Sequence, residues 1–108
     1  FLATGQDMAH VVEGSLGTTY VDVVDEGLQI SVHLPSIQTG IIGGGTKLPA
    51  AHNCLELLGL IKNDELVQGG AKALAEITAA AVLAGEISLL AAEAESELVQ
   101  AHKTLGRA

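Results

Sequence analysis

The sequence contains no tryptophan and only one phenylalanine, one tyrosine and one methionine. A core built without bulky side chains must fill its space by close backbone packing, which the 13 glycines permit. The single cysteine, Cys54, excludes a disulfide within the chain and fits a reducing cytosolic compartment. With 108 residues, the chain is expected to be one domain or a piece of one.

Basic residues are scarce as well: five Lys and Arg stand against 13 Asp and Glu, giving a net charge of −8. So acidic a chain is a poor partner for nucleic acids and anionic membranes. An anionic ligand would have to be held by a few local cations and by backbone amides. No metal site is predicted, because His52 and Glu56 lie four residues apart without a third ligand at a suitable spacing.

Long uncharged hydrophobic runs are absent from the most apolar region, Gly70 to about Ala94. Its longest run, from Ile77 to Gly85, is shorter than the roughly 20 apolar residues that a membrane span needs. Its content of Ala and Leu and its lack of proline predict one long helix. Because most of its circumference is apolar, we expect a central helix of a soluble domain, buried by the rest of the fold. Its charges share one sector: Lys72, Glu76, Glu86 and Glu93.

So apolar a helix is hard to cover with the remaining residues, which suggests that part of the domain is missing. The opening Phe1-Leu2-Ala3-Thr4 has no initiator Met and no targeting signature. We therefore expect the chain to be the later part of a longer polypeptide.

The first predicted element is a short helix that ends before Gly14-Ser15. Thr4 is expected to be its N-cap, with Asp7 three residues later in a variant of the capping box. Asp7 then has two interpretations. Its carboxylate either only complements the helix dipole or is aimed at a site from the start of the helix.

Further short elements precede the long helix. The β-branched stretches Thr18–Val24 and Leu28–Leu34 flank Asp25-Glu26-Gly27 and predict an antiparallel hairpin. Pro49 opens a second helix, Ala50 to Leu58, which Gly59 ends. Residues 61–68 are interpreted as a polar connector. Together these elements predict the α/β (α+β) class.

Three consecutive glycines, Gly43, Gly44 and Gly45, precede Thr46 and Lys47. Glycines leave backbone amides unshielded and permit positive φ, so ligand phosphates or ribose can approach the main chain. Neither generic phosphate motif matches: Thr46 precedes Lys47 instead of following it, and the dinucleotide fingerprint lacks its last glycine. The glycines alone leave open whether this is a ligand loop or a tight packing turn.

Three stretches resemble, in order, the C-terminal half of the catalytic domain of the 3-hydroxy-3-methylglutaryl-coenzyme A reductase family. They are Ala3-Thr-Gly-Gln-Asp7, Ile37-Gln-Thr-Gly-Ile-Ile-Gly-Gly-Gly-Thr46 and Leu98-Val-Gln-Ala-His102. A fourth, Leu83-Ala-Gly-Glu-Ile-Ser-Leu89, is similar to the central helix of that family. Residues 1–108 are then expected to form the C-terminal part of the catalytic, substrate-binding domain.

The resemblance implies reduction of hydroxymethylglutaryl-CoA to mevalonate in two hydride transfers from NADPH, with release of coenzyme A. It also implies a homodimer or higher oligomer with a shared active site, and we expect a cytoplasmic, archaeal-like enzyme. Asp7 would be the catalytic aspartate and His102 the catalytic histidine on a mobile C-terminal flap. The other implied site residues are Gly43, Gly44, Gly45, Thr46 and Arg107 for the cofactor, and Leu89 and Ala92 for the hydroxymethylglutaryl group.

The chemistry suits these roles. Hydride addition to a thioester builds an oxyanion that needs a cation or an acid beside it. Collapse of the hemithioacetal then expels a thiolate, which a histidine that titrates near neutrality can protonate. Asp7 would work through a lysine and an acidic residue from the preceding half of the domain. Two other interpretations stay open: a non-catalytic nucleotide- or anion-binding module that uses Gly43–Gly45, and a structural helical interaction domain.

Overall fold

The computed structural model describes residues 7–95 and 98–106. Within these ranges α-helices alternate with two small antiparallel hairpins, so the mixed α/β class is confirmed. The elements in chain order are α1 (Met8–Gly14), β1 (Thr18–Val24), β2 (Gly27–His33), a 3-10 turn (Gly44–Lys47), α2 (Pro49–Leu57), β3 (Ile61–Lys62), β4 (Glu65–Leu66), α3 (Gly70–Ala94) and α4 (Leu98–Leu105).

The predicted first hairpin is confirmed, with β1 and β2 paired in register from Thr18 opposite His33 to Val24 opposite Gly27. Gly27 belongs to the second strand, so the turn contains only Asp25 and Glu26. Asp25 has a φ of 41°, in the left-handed region that aspartate tolerates better than most residues. A hydrogen bond of 2.8 Å from Thr19 Oγ1 to Glu86 Oε2 connects the hairpin to α3.

A second hairpin, β3 and β4, occupies residues 61–66, so the prediction of a polar connector over residues 61–68 is wrong. Asn63 and Asp64 form its two-residue turn with φ values of 52° and 62°. Two consecutive positive φ angles are typical of the type I′ turn that joins antiparallel strands. The hairpin brings the buried side chain of Ile61 onto the core.

The hydrophobic core lies between α2, β3 and the start of α3. It is small and consists of Ile41, Leu55, Leu60, Ile61 and Leu74. Gly59, with a φ of 74°, ends α2 in a Schellman motif: Leu60 N donates to Leu55 O at 2.9 Å and Gly59 N to Glu56 O at 2.9 Å. This reversal of the chain places Leu60 and Ile61 against Leu55, which is fully buried.

The long helix α3 has the predicted bounds, Gly70–Ala94, but its predicted burial is wrong for the described residues. Only Gly70 and Leu74 are buried, both in its first turns. The chain exposes 7940 Å², whereas a folded monomer of its mass would expose about 5,600 Å². The core packs against the first turns of α3, and the first hairpin and α4 also contact the helix, yet most of its apolar surface stays open.

The same helix is long and apolar enough to cross a membrane. Its most apolar 18-residue window has a mean hydropathy of 1.7 and is 6% buried. Core helices of water-soluble proteins share this length and composition, so these two properties do not distinguish a membrane span from a core helix.

Candidate active site

A pocket of about 650 Å³ lies between the start of α1 and the glycine loop. Asp7 and His10 form one wall, and residues 37–40 together with the stretch from Ile42 to Thr46 form the opposite one. The 26 residues between His10 and Ile37, which include the first hairpin, separate these two walls in the sequence. The fold therefore brings Asp7 and all three consecutive glycines, each predicted to belong to the site, into one cavity.

Asp7 is the N-cap of α1. Its backbone is extended (φ −83°, ψ 171°), and its Oδ1 accepts a hydrogen bond of 2.9 Å from His10 N. The prediction of Thr4 as the N-cap is therefore wrong for this helix, which begins at Met8; Thr4 itself lies outside the described residues. Capping and a place in the pocket are compatible, since the Asp7 carboxylate has both.

The pKa of the Asp7 carboxyl is held below its usual range, first by the His10 backbone N–H that donates to it and further by the nearby His10 ring. Because the pKa is lower in the folded state, this capping contact stabilises α1 at pH values above the ordinary pKa of aspartate. The stabilisation is lost as the pH falls through the lowered pKa. At neutral pH the pocket therefore contains a carboxylate.

The glycine loop presents bare backbone to the pocket. Gly43 has a φ of 80° and a ψ of −174°, and Gly44 has a φ of 52°. A Cβ atom added to either glycine would meet no atom within 4 Å, so the space beside them is open. Thr46 also lines the pocket; it is buried, and its Oγ1 donates to Gly43 O at 2.6 Å, which closes the turn.

Replacing Gly43 with Ala should destabilise the loop even though the space for a methyl group is free. Its φ and ψ belong to a region essentially restricted to glycine, and a side chain there costs about 1–3 kcal/mol. Gly40→Ala is the matched control, since Gly40 lies in the same wall with open space and no positive φ. Urea unfolding should show a lower midpoint for Gly43→Ala alone; equal midpoints would contradict the assigned backbone strain.

Of the four remaining predicted site residues, the structure describes the side chains of two. Leu89 and Ala92 lie one turn apart on α3, so they share a face, but neither lines the pocket. His102 is in α4, and its side chain lies outside the description. Arg107 also lies outside the described residues. The roles of these four residues stay predictions.

His10 is a pocket residue that the sequence reasoning missed. Its ring Nδ1 lies 3.0 Å from Asp7 Oδ1, and the side chain is half exposed. The available signal was its position three residues after a capping aspartate, where a side chain commonly reaches back to the cap. In the described ranges, no three His, Cys, Asp or Glu side chains cluster closely enough to hold a metal ion.

Comparison with known proteins identifies the family of this chain. The family model described as hydroxymethylglutaryl-coenzyme A reductase matches residues 1–107. Proteins named 3-hydroxy-3-methylglutaryl-coenzyme A reductase from Methanocaldococcus jannaschii and Aeropyrum pernix are each 51% identical over 107 residues, which is 99% of this chain and 25% of theirs. The reductase 1 of Oryza sativa subsp. indica is 50% identical over 110 residues, 20% of its length.

The chain thus spans about a quarter of the length of the archaeal relatives that it matches. The match extends over both walls of the pocket and over the long helix. A family model that covers nearly every residue leaves no segment for an unrelated domain. The chain belongs to the hydroxymethylglutaryl-coenzyme A reductase family.

Proposed function

We propose that this chain supplies part of the active site of an enzyme that reduces hydroxymethylglutaryl-CoA to mevalonate with NADPH and releases coenzyme A. One observation carries the proposal: Asp7 and the triple-glycine loop, assigned to catalysis and to the cofactor from separate stretches of sequence, line the same pocket. Membership of the reductase family is the second support.

The glycine loop suits a dinucleotide. Gly43 and Gly44 have open space where a side chain would lie, so ribose or phosphate oxygens can reach their backbone. The pocket volume, about 650 Å³, falls within the range of about 300–1,000 Å³ that is common for ligand sites. Gly45 and Thr46 complete the loop that would contact the dinucleotide. NADPH would supply the hydride when it is bound. Arg107 would pair with a cofactor phosphate.

In the proposed mechanism Asp7 acts as an ionised carboxylate, in line with the lowered pKa of its carboxyl. The carboxylate would orient a lysine from the rest of the polypeptide and keep it protonated. That lysine would stabilise the oxyanion formed when hydride reaches the thioester carbonyl. His102 then gives a proton to the departing thiolate, so that the aldehyde does not recapture it. Leu89 and Ala92 would line the space for the hydroxymethylglutaryl group.

The rest of the site is proposed to come from outside this chain. Residues 1–108 would be the C-terminal part of the catalytic domain, and the partner lysine and acidic residue would belong to its preceding half. We further propose a cytoplasmic homodimer or higher oligomer, since the open apolar surface of α3 needs a cover.

Consumption of NADPH by the full-length protein tests the proposal. NADPH absorbance should fall only after hydroxymethylglutaryl-CoA is added, with two NADPH oxidised for each free thiol that a thiol reagent detects. NADH in place of NADPH tests the cofactor assignment. A protein that binds the dinucleotide without oxidising it would instead be a non-catalytic binding module, and one that does neither would be structural.

A further inference from the structure

His10 has no role in the mechanism above, yet it contacts Asp7 twice. Its backbone N–H donates to Asp7 Oδ1 at 2.9 Å, and its ring Nδ1 lies 3.0 Å from the same oxygen. The two contacts differ in kind. The backbone contact is the helix cap and is available to any residue except proline, whereas the ring contact needs a side chain with a donor at the Nδ1 position.

Folding stability does not account for the ring contact. In this chain 48% of the His10 side chain and 68% of the Asp7 side chain are exposed, and exposed charged pairs contribute little to stability. Both side chains line the pocket. Beside the His10 backbone N–H, which has the larger effect, the ring contact helps to lower the pKa of the Asp7 carboxyl. It also has a geometric consequence: a second nitrogen against Oδ1, 3.0 Å away, restricts rotation of the carboxylate group at the cavity wall.

We propose that His10 is a positioning residue for Asp7: its ring holds the carboxylate in the orientation in which it lines the pocket. This inference rests on the proposed function, because it needs Asp7 to act in catalysis. His10 itself touches neither substrate nor cofactor in this proposal. Removal of the ring should therefore slow turnover and leave ligand affinity unchanged.

The experiment compares His10→Ala and His10→Asn with the unaltered full-length protein. Both variants keep the backbone N–H, so the cap of α1 persists. His10→Ala is expected to lower kcat by about 10-fold, with the KM for NADPH and for hydroxymethylglutaryl-CoA each within about 2-fold. His10→Asn should restore most of the rate, since its side-chain amide nitrogen lies where Nδ1 lies in histidine.

Several results would overturn the positioning role. They are an unchanged kcat in His10→Ala, a raised KM at unchanged kcat, a His10→Asn as slow as His10→Ala, or a His10→Ala that does not fold. Asp7→Asn and the unaltered protein, measured in parallel, separate this failure from that of the proposed function. An inactive Asp7→Asn beside a fully active His10→Ala removes only the positioning role, and a fully active Asp7→Asn removes the catalytic role of Asp7 as well. The proposed function itself fails only if the unaltered protein does not oxidise NADPH in the presence of hydroxymethylglutaryl-CoA.

Discussion

In the full-length protein, Asp7→Asn is expected to lower kcat by about a thousandfold while the protein stays folded. Asparagine caps a helix about as well as aspartate, because its side-chain oxygen accepts the same bond from His10 N. The substitution therefore preserves the cap and removes only the negative charge. Steady-state kinetics with hydroxymethylglutaryl-CoA and NADPH give the rate, and circular dichroism reports the fold.

Asp64→Asn is the matched control for this substitution. The control substitution also removes one negative charge, but Asp64 lies in the exposed turn between β3 and β4 and does not line the pocket. Its kcat should match that of the unaltered protein. If Asp7→Asn unfolds the protein and its folded fraction turns over at the full rate, then Asp7 only caps α1 and has no catalytic role.

Leu55→Ala should lower the free energy of unfolding by about 3 kcal/mol, because it removes a buried side chain and leaves a cavity. Leu55 is fully buried at the centre of the core, where α2, Ile61 of β3 and Leu74 of α3 meet. Its backbone carbonyl also accepts the Schellman bond from Leu60, so relaxation of the helix end is restricted. Urea denaturation, with the slope unchanged and the midpoint lowered, measures the loss.

Leu57→Ala in the same helix is the control. Leu57 is 88% exposed in this chain, only two residues from Leu55, and makes no contribution to the core. Its substitution should change the free energy of unfolding by less than about 0.5 kcal/mol. Equal losses in the two variants would contradict the assignment of the core to the Leu55 face of α2.

Local sequence signals were enough for the elements with strong chemistry of their own. The Ala and Leu content of residues 70–94 predicted the bounds of α3, and Pro49 and Gly59 marked the ends of α2. The second hairpin was missed because its strands contain two residues each and its Asn63-Asp64 turn lacks the glycine that usually signals a type I′ turn. Thr4 was preferred as the cap of α1 because threonine and aspartate both favour that position.

The arrangement of the candidate site depends on contacts between distant residues, which no local sequence pattern predicts. Asp7 and the triple-glycine loop were identified by their resemblance to a family, but spacing alone did not place them in one pocket. His10 was missed for the same reason, since its place in the pocket depends on how the glycine loop packs beside α1. The described residues do not bury α3; its apolar surface indicates a need for a cover and does not say which segment provides it.

Because one side of α3 is open, the stability of this region depends on the surface that covers it. Ile77, Ile87 and Leu89 stay exposed along it, so solvent contact penalises the helix until another surface arrives. A surface that binds only the folded helix raises its free energy of unfolding by mass action, as a ligand does for its receptor. The free energy of unfolding of this region therefore depends on the surface that covers α3.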